Sequence, residues 1–190
     1  MFVLGVDPGV SRCGYGLVGR DEQDGSLSAR AAGVIETDPG TPMPERLFIL
    51  QTELAALLRE FDPSVVVVER VFFQVNVKTA VSVCQASGLA LAAAAGHGCE
   101  VAEYTSNEVK QALVGYGSAT KEQVQRMVAE VLGLAEVPKP VDAADALALA
   151  VCHLSSHALR RAVRLASGGA LGTGARASVA SAPVARGAAS

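Results

Sequence analysis

The chain has 190 residues, half of them apolar, with 16 basic and 19 acidic side chains and a formal net charge of -3. That length suits one compact domain, with apolar content sufficient for a core that needs no staples. Cys13, Cys84, Cys99 and Cys152 lie far apart without C-x-x-C spacing, which argues against a zinc site and a disulfide framework and fits a reduced cytoplasm.

The start, MFVLGVD, lacks the basic and long apolar parts of a signal peptide, and no apolar run reads as long enough to span a bilayer. A soluble, cytoplasmic protein without a membrane partner is expected. Each cysteine is expected to be a small buried apolar side chain.

FVLGVD is rich in β-formers and runs at its last residue into Asp-Pro-Gly, which is turn chemistry, so a first strand should end at Asp7. Two further strands, CGYGLVGR and LSARAAGVIET, should form a hairpin whose turn contains Asp24 and Gly25. In ERLFILQTELAALLREF, Leu47, Leu50, Leu54, Leu57 and Leu58 recur at helical spacing, and Asp-Pro closes the segment. SVVVVER reads as a central strand buried on both faces and ending at Glu69.

Residues 76–95 are dominated by small side chains and predict a helix that approaches a neighbour closely. GCEVAEY predicts a fifth strand, and the helix-strand alternation implies parallel pairing. Helix should resume at Ser106 and again at Thr120, where Thr120 and Gln123 have capping-box spacing, and a last helix should open near Asp142. We divide the chain into a folded domain over 1–160 and a basic Gly/Ala/Ser-rich tail over 161–190. The tail has too little apolar content to offset its ordering entropy, so disorder is expected from about residue 167.

Parallel strands ending at Asp7 and Glu69 would present both carboxylates at one sheet edge. Asp142 and Asp145, three residues apart, project from one helix face and can reach the same edge. Carboxylates clustered in this way select hard divalent cations, and two ions about 4 Å apart can drive phosphodiester hydrolysis. Each residue also has a purely structural reading: Asp7 as a turn cap, the aspartate pair as complement to a helix N-terminus. Glu69 directly after four valines is the hardest to explain without a partner.

Charge is unevenly spread. Residues 1–69 hold 11 acids and 5 bases, residues 70–190 hold 8 acids and 11 bases, and no acid follows Asp145. A basic face suited to a polyanion is compatible with this, as is an ordinary solvated surface. GYGSATK lacks the glycine that a P-loop places immediately before its lysine, which argues against ATP binding. His153 and His157 have i, i+4 spacing but no accompanying Glu or third ligand, and are read as helix residues near solvent.

Taken together, GVDPGVSRCGYGLV, VVVVERVFF, VKQALVGYGSATKEQVQRMV and DAADALALAVCH resemble the RuvC family of Holliday junction resolvases, over roughly residues 1–157 in unbroken order. The resemblance implies an RNase H-like α/β fold: a five-stranded mixed sheet, three antiparallel strands then two parallel, flanked by helices. It also implies Mg²⁺ or Mn²⁺ dependence with two ions per active site, a homodimer, and symmetric nicks across four-way junction DNA. By family alone it implies a branch-migration helicase complex as partner. Catalytic and metal-holding roles fall on Asp7, Glu69, Asp142 and Asp145, and DNA contacts on Phe72, Lys110 and Lys121.

Phe73 joins the DNA-binding candidates because adjacent aromatics on an extended chain cannot both enter one core: one of Phe72 and Phe73 is free to stack on an unpaired base, and core packing is the reading for the other. The small-residue helix over residues 77–95 is the expected dimer interface, with Ala86 and Ala90 on it, and burial within the monomer is the competing reading. Two other functions compete: an actin-like phosphotransferase, which needs two such lobes where 190 residues supply one, and a non-catalytic junction-binding module, against which the complete carboxylate set stands.

Overall fold

The computed structural model describes residues 1–70 and 77–166. Phe72 and Phe73, and the tail from residue 167, lie outside the described residues.

Strands β1 (Phe2–Asp7), β2 (Arg12–Arg20) and β3 (Leu27–Glu36) form an antiparallel meander, and β4 (Val65–Glu69) and β5 (Glu100–Tyr104) add to β1 in parallel, giving the order β3-β2-β1-β4-β5. This is the expected mixed sheet. The hairpin turn places Gly25 at φ 76°, a left-handed conformation suited to glycine, and Asp24 Oδ1 accepts from Ser26 N–H at 2.8 Å.

The valine run divides by strand alternation. Val65 and Val67 enter one core, while Val66 and Val68 enter the other. The first core lies beneath α3 (Ser106–Val114), α4 (Lys121–Val131) and α5 (Val141–Ala166); the second lies beneath α1 (Met43–Phe61) and α2 (Val77–His97). On α1, Leu50, Leu54 and Leu58 are buried at the predicted helical spacing, with Leu47 and Leu57 packed at the edge. Thr120 and Gln123 form a reciprocal capping box at the start of α4, and Thr105 and Glu108 form another at the start of α3.

Four expectations need correction. Cys13 and Cys152 are buried, but Cys84 and Cys99 are only partly so, because Cys84 sits on the flank of α2 and Cys99 lies in the connection from α2 to β5. His153 is buried rather than near solvent: its ring meets Tyr104 edge-on, centroids 6.0 Å apart, on the inward side of α5. Residues Ala80–His97 of α2 are long and apolar enough by length and composition to cross a membrane, since the segment carries no Asp, Glu, Lys or Arg, although a core helix can pass the same test. Ala86 and Ala90 lie in the monomer core with Ala94, because they form the inward edge of α2.

Candidate active site

The register of β1 on β4 pairs Val6 with Val68, which brings the next residues, Asp7 and Glu69, level at the same end of the sheet. β2 returns antiparallel and pairs Gly14 with Asp7. Helix α5 crosses these strands over three glycines. A Cβ on Gly5 would stand 1.9 Å from the Ala146 carbonyl oxygen, on Gly14 2.1 Å from that of Asp142, and on Gly16 2.7 Å from the Leu147 backbone nitrogen. No strand side chain fits beneath the helix there, so the first turns of α5 are held directly over the Asp7 edge.

Asp7, Glu69 and Asp145 line a pocket of about 300 Å³ together with Ser106, Lys110 and Lys121. Burial pushes the Asp7 carboxyl up to about 7, helped by the negative charge of Glu69 and Asp145 and by its hydrogen bond to Glu69, with a smaller push from Asp142. Burial likewise raises Glu69, against the hydrogen bond from Asp7 and the attraction of Lys121. The hydrogen bond between the two carboxyls acts to raise Asp7 and to lower Glu69. Partial burial works to lower Lys121, but its hydrogen bond and attraction to Asp145, with the charges of Asp7 and Asp142, leave it raised.

Both α5 aspartates are held by cations of the chain. Lys121 Nζ lies 2.5 Å from Asp145 Oδ2, and Arg12 Nε donates to Asp142 Oδ2 at 2.9 Å while the same guanidinium meets Glu36. Asp142 is not among the residues lining the pocket. Among the described residues, no three carboxylates, histidines or cysteines form a ready-made cation shell. The donor set nevertheless fits a hard divalent cation: it is all oxygen, and the negative charges of Glu69, Asp145 and Asp142 crowd Asp7 where such an ion would relieve the like-charge repulsion.

The structure therefore brings Asp7, Glu69, Asp145, Lys110 and Lys121 together and holds Asp142 beside them on Arg12. Arg12, Gly5, Gly14 and Gly16 were not singled out from sequence. Glycines at alternate positions of β2 were the available signal for a close backbone approach, whereas the partner of Arg12 lies 130 residues away.

A family model for the crossover junction endodeoxyribonuclease RuvC matches residues 3–153. The chain belongs to the RuvC family. It is 51% identical over 159 residues to the RuvC of Syntrophomonas wolfei, covering 84% of this chain and 91% of that one. It also resembles the solved structure of Thermus thermophilus RuvC, with a TM-score of 0.78 and 37% identity over 84% of this chain and 97% of that one. The T. thermophilus RuvC structure in complex with a Holliday junction substrate gives a TM-score of 0.76 and 34% identity, over 84% and 96% of the two chains. With RuvC neighbours of this similarity, the sheet and its flanking helices are an RNase H-like fold.

Proposed function

We propose that this chain resolves four-way DNA junctions by symmetric, metal-dependent nicks, acting as a structure-specific endonuclease in recombination and repair. The observation that carries the reading is the meeting of Asp7, Glu69 and Asp145 with Lys110 and Lys121 in one pocket. Acceptors suited to a divalent cation and donors suited to a phosphate stand side by side there, and membership of the RuvC family supports the same reading.

Asp7, Glu69 and Asp145, with Asp142 from the adjacent turn, would hold the metal, which we take to be Mg²⁺ or Mn²⁺ with two ions per active site. When bound, such ions supply an activated water and neutralise charge developing on the phosphate. The chain's own residues do the rest. Lys110 and Lys121 attract the scissile strand and hold its phosphate oxygens at the pocket mouth. The first N–H groups of α4 add a partial positive charge beside Lys121. Glu69 keeps the Asp7 carboxyl oriented across the β1/β4 edge. Phe72 and Phe73 are our candidates for stacking on an unpaired base at the crossover.

A four-way junction can present two equivalent strands related by a two-fold axis, so a homodimer with two such pockets matches two cuts. Its interface is assigned to the outer side of α2, where Val81, Gly88 and Ala92 are exposed. Residues 1–160 form the nuclease domain, and the arginine-bearing tail over 161–190 adds sequence-independent affinity for phosphates. We place the protein in the cytoplasm, in keeping with its four free cysteines, and take a branch-migration helicase complex as its partner by family.

The test is incubation of a labelled synthetic junction with wild type and Asp7→Asn in Mg²⁺, Mn²⁺ and EDTA. Symmetric nicks by wild type in either metal, with binding but no cutting by Asp7→Asn, are expected. A wild-type protein that binds the junction and leaves it intact in every metal condition overturns the reading.

A further inference from the structure

Arg12 is the first residue of β2 and pairs across the strands with Glu36, the last residue of β3. Its guanidinium bridges two carboxylates, Glu36 on one side and Asp142 on the other. The two residues beside this pair are anchored from below. Buried Arg46 of α1 donates through Nε to Thr37 Oγ1 at 2.9 Å and through a terminal nitrogen to Ser11 Oγ at 2.5 Å; Thr37 Oγ1 in turn donates to the Val10 carbonyl at 2.6 Å. The Thr37 N–H donates to the Ser11 carbonyl at 3.1 Å, closing the network. Arg12 is thus an exposed cation on a rigid footing, aimed at one carboxylate of the candidate site.

That carboxylate is the one that does not line the pocket with Asp7, Glu69 and Asp145. The backbone of Asp142 is fixed against Gly14, so only its side chain can turn. A guanidinium on Asp142 both occupies a lone pair that a metal needs and places a positive charge beside any incoming cation. The Arg12 side chain is 44% exposed and Asp142 30%, so the contact is open to competition from solution. A DNA phosphate is a strong competitor, because guanidinium pairs with phosphate through two parallel hydrogen bonds.

We propose that Arg12 is a latch that holds Asp142 aside from the other metal-binding carboxylates until a substrate phosphate takes the guanidinium, so that the fourth ligand arrives together with the DNA. The inference rests on the nuclease reading above. Its consequence is a linkage: DNA and metal each strengthen the binding of the other through Arg12, which is a positioning residue and not a catalytic one.

The test is Mn²⁺ binding to the DNA-free protein, followed by the free-ion electron paramagnetic resonance signal, for wild type, Arg12→Gln and Glu36→Gln. Arg12→Gln should bind Mn²⁺ about 5- to 10-fold more tightly than wild type, a gain that mere loss of a structural contact does not produce. Glu36→Gln leaves the Arg12–Asp142 contact in place and should stay within about twofold of wild type. In cleavage assays at saturating junction, the half-saturating Mn²⁺ concentrations of wild type and Arg12→Gln should converge. Equal or weaker DNA-free Mn²⁺ affinity in Arg12→Gln overturns the latch, as does a fivefold gap that persists with junction bound. A wild type that binds Mn²⁺ but cuts no junction overturns the nuclease reading instead, and the DNA-free titration still decides the latch.

Discussion

The two faces of the sheet are covered in opposite ways. On one, α5 lies against backbone, with three glycines leaving no room for a strand side chain beneath it, and α3 and α4 share its core. On the other, α1 and α2 rest on a layer of leucines, valines and alanines, and α2 leaves much of its surface uncovered. The close contact serves placement, because a helix that cannot slide holds its aspartates in register with Asp7. The looser layer contributes no side chain to the pocket, and part of its outer surface, Val81 included, is exposed.

This contrast is broken most severely at Gly14. In Gly14→Ala the new methyl would meet the Asp142 carbonyl at 2.1 Å, and neither backbone can yield without lifting α5. We expect a loss of about 3 kcal/mol in chemical denaturation, with junction nicking abolished at temperatures where the fold persists. Full activity in Gly14→Ala would mean that close contact does not position the site. Arg46→Met comes next. It keeps the unbranched apolar stem of the side chain but removes both donors to the Thr37 and Ser11 hydroxyls, and should cost about 2 kcal/mol by the same measurement. If stability is unchanged, the footing under Arg12 is not what holds the β2 and β3 ends together.

Much of the fold was legible because it followed from local rules. The valine run had to be buried on both faces, the leucines of α1 had to share a stripe, and Thr120 with Gln123 had to start a helix. The acidic strand ends were legible because each strand's length is set by its apolar run. Contacts that join distant segments through single polar groups were not legible. Nothing near Arg12 in sequence names Asp142, and nothing near His153 shows that its ring turns inward to Tyr104. The pairing of Lys121 with Asp145 was equally hidden, because helical spacing says which face a lysine occupies and not which carboxylate it meets.

A smaller effect separates the faces by charge. The Asp7 carboxyl has its value raised from 3.8 to about 7, so the folded protein keeps a proton that the unfolded chain releases. The sign follows: stability of the metal-free protein is unaffected below about pH 4, falls as pH rises through the window from about 4 to 7, and stays lower above it. Asp7→Asn removes that loss. At pH 8 without metal it should be more stable than wild type by about 1–2 kcal/mol, less than the roughly 4 that three pKa units represent, because the pocket is open to water. At pH 4 the two should melt together. Equal melting temperatures at pH 8 would show that the Asp7–Glu69 pair is not strained in the metal-free state.

The smallest effect on the fold is expected on the looser face, where it is most informative about assembly. Ala86→Arg would force a charge into the monomer core and report only on folding, since Ala86 is fully buried. Gly88 is exposed on the same helix, and a Cβ placed there meets nothing within 4 Å. Gly88→Arg should therefore leave unfolding of the monomer within about 0.5 kcal/mol of wild type, or raise it slightly by removing a mid-helix glycine. If the outer side of α2 joins two copies, the same substitution sets two arginines against each other across a two-fold axis and should give a monomer by light scattering. Such a monomer, nicking one strand of a junction without the matching second cut, would tie the uncovered face to the symmetry of the reaction. An undisturbed dimer would move the interface elsewhere and leave the apolar side of α2 to a different partner.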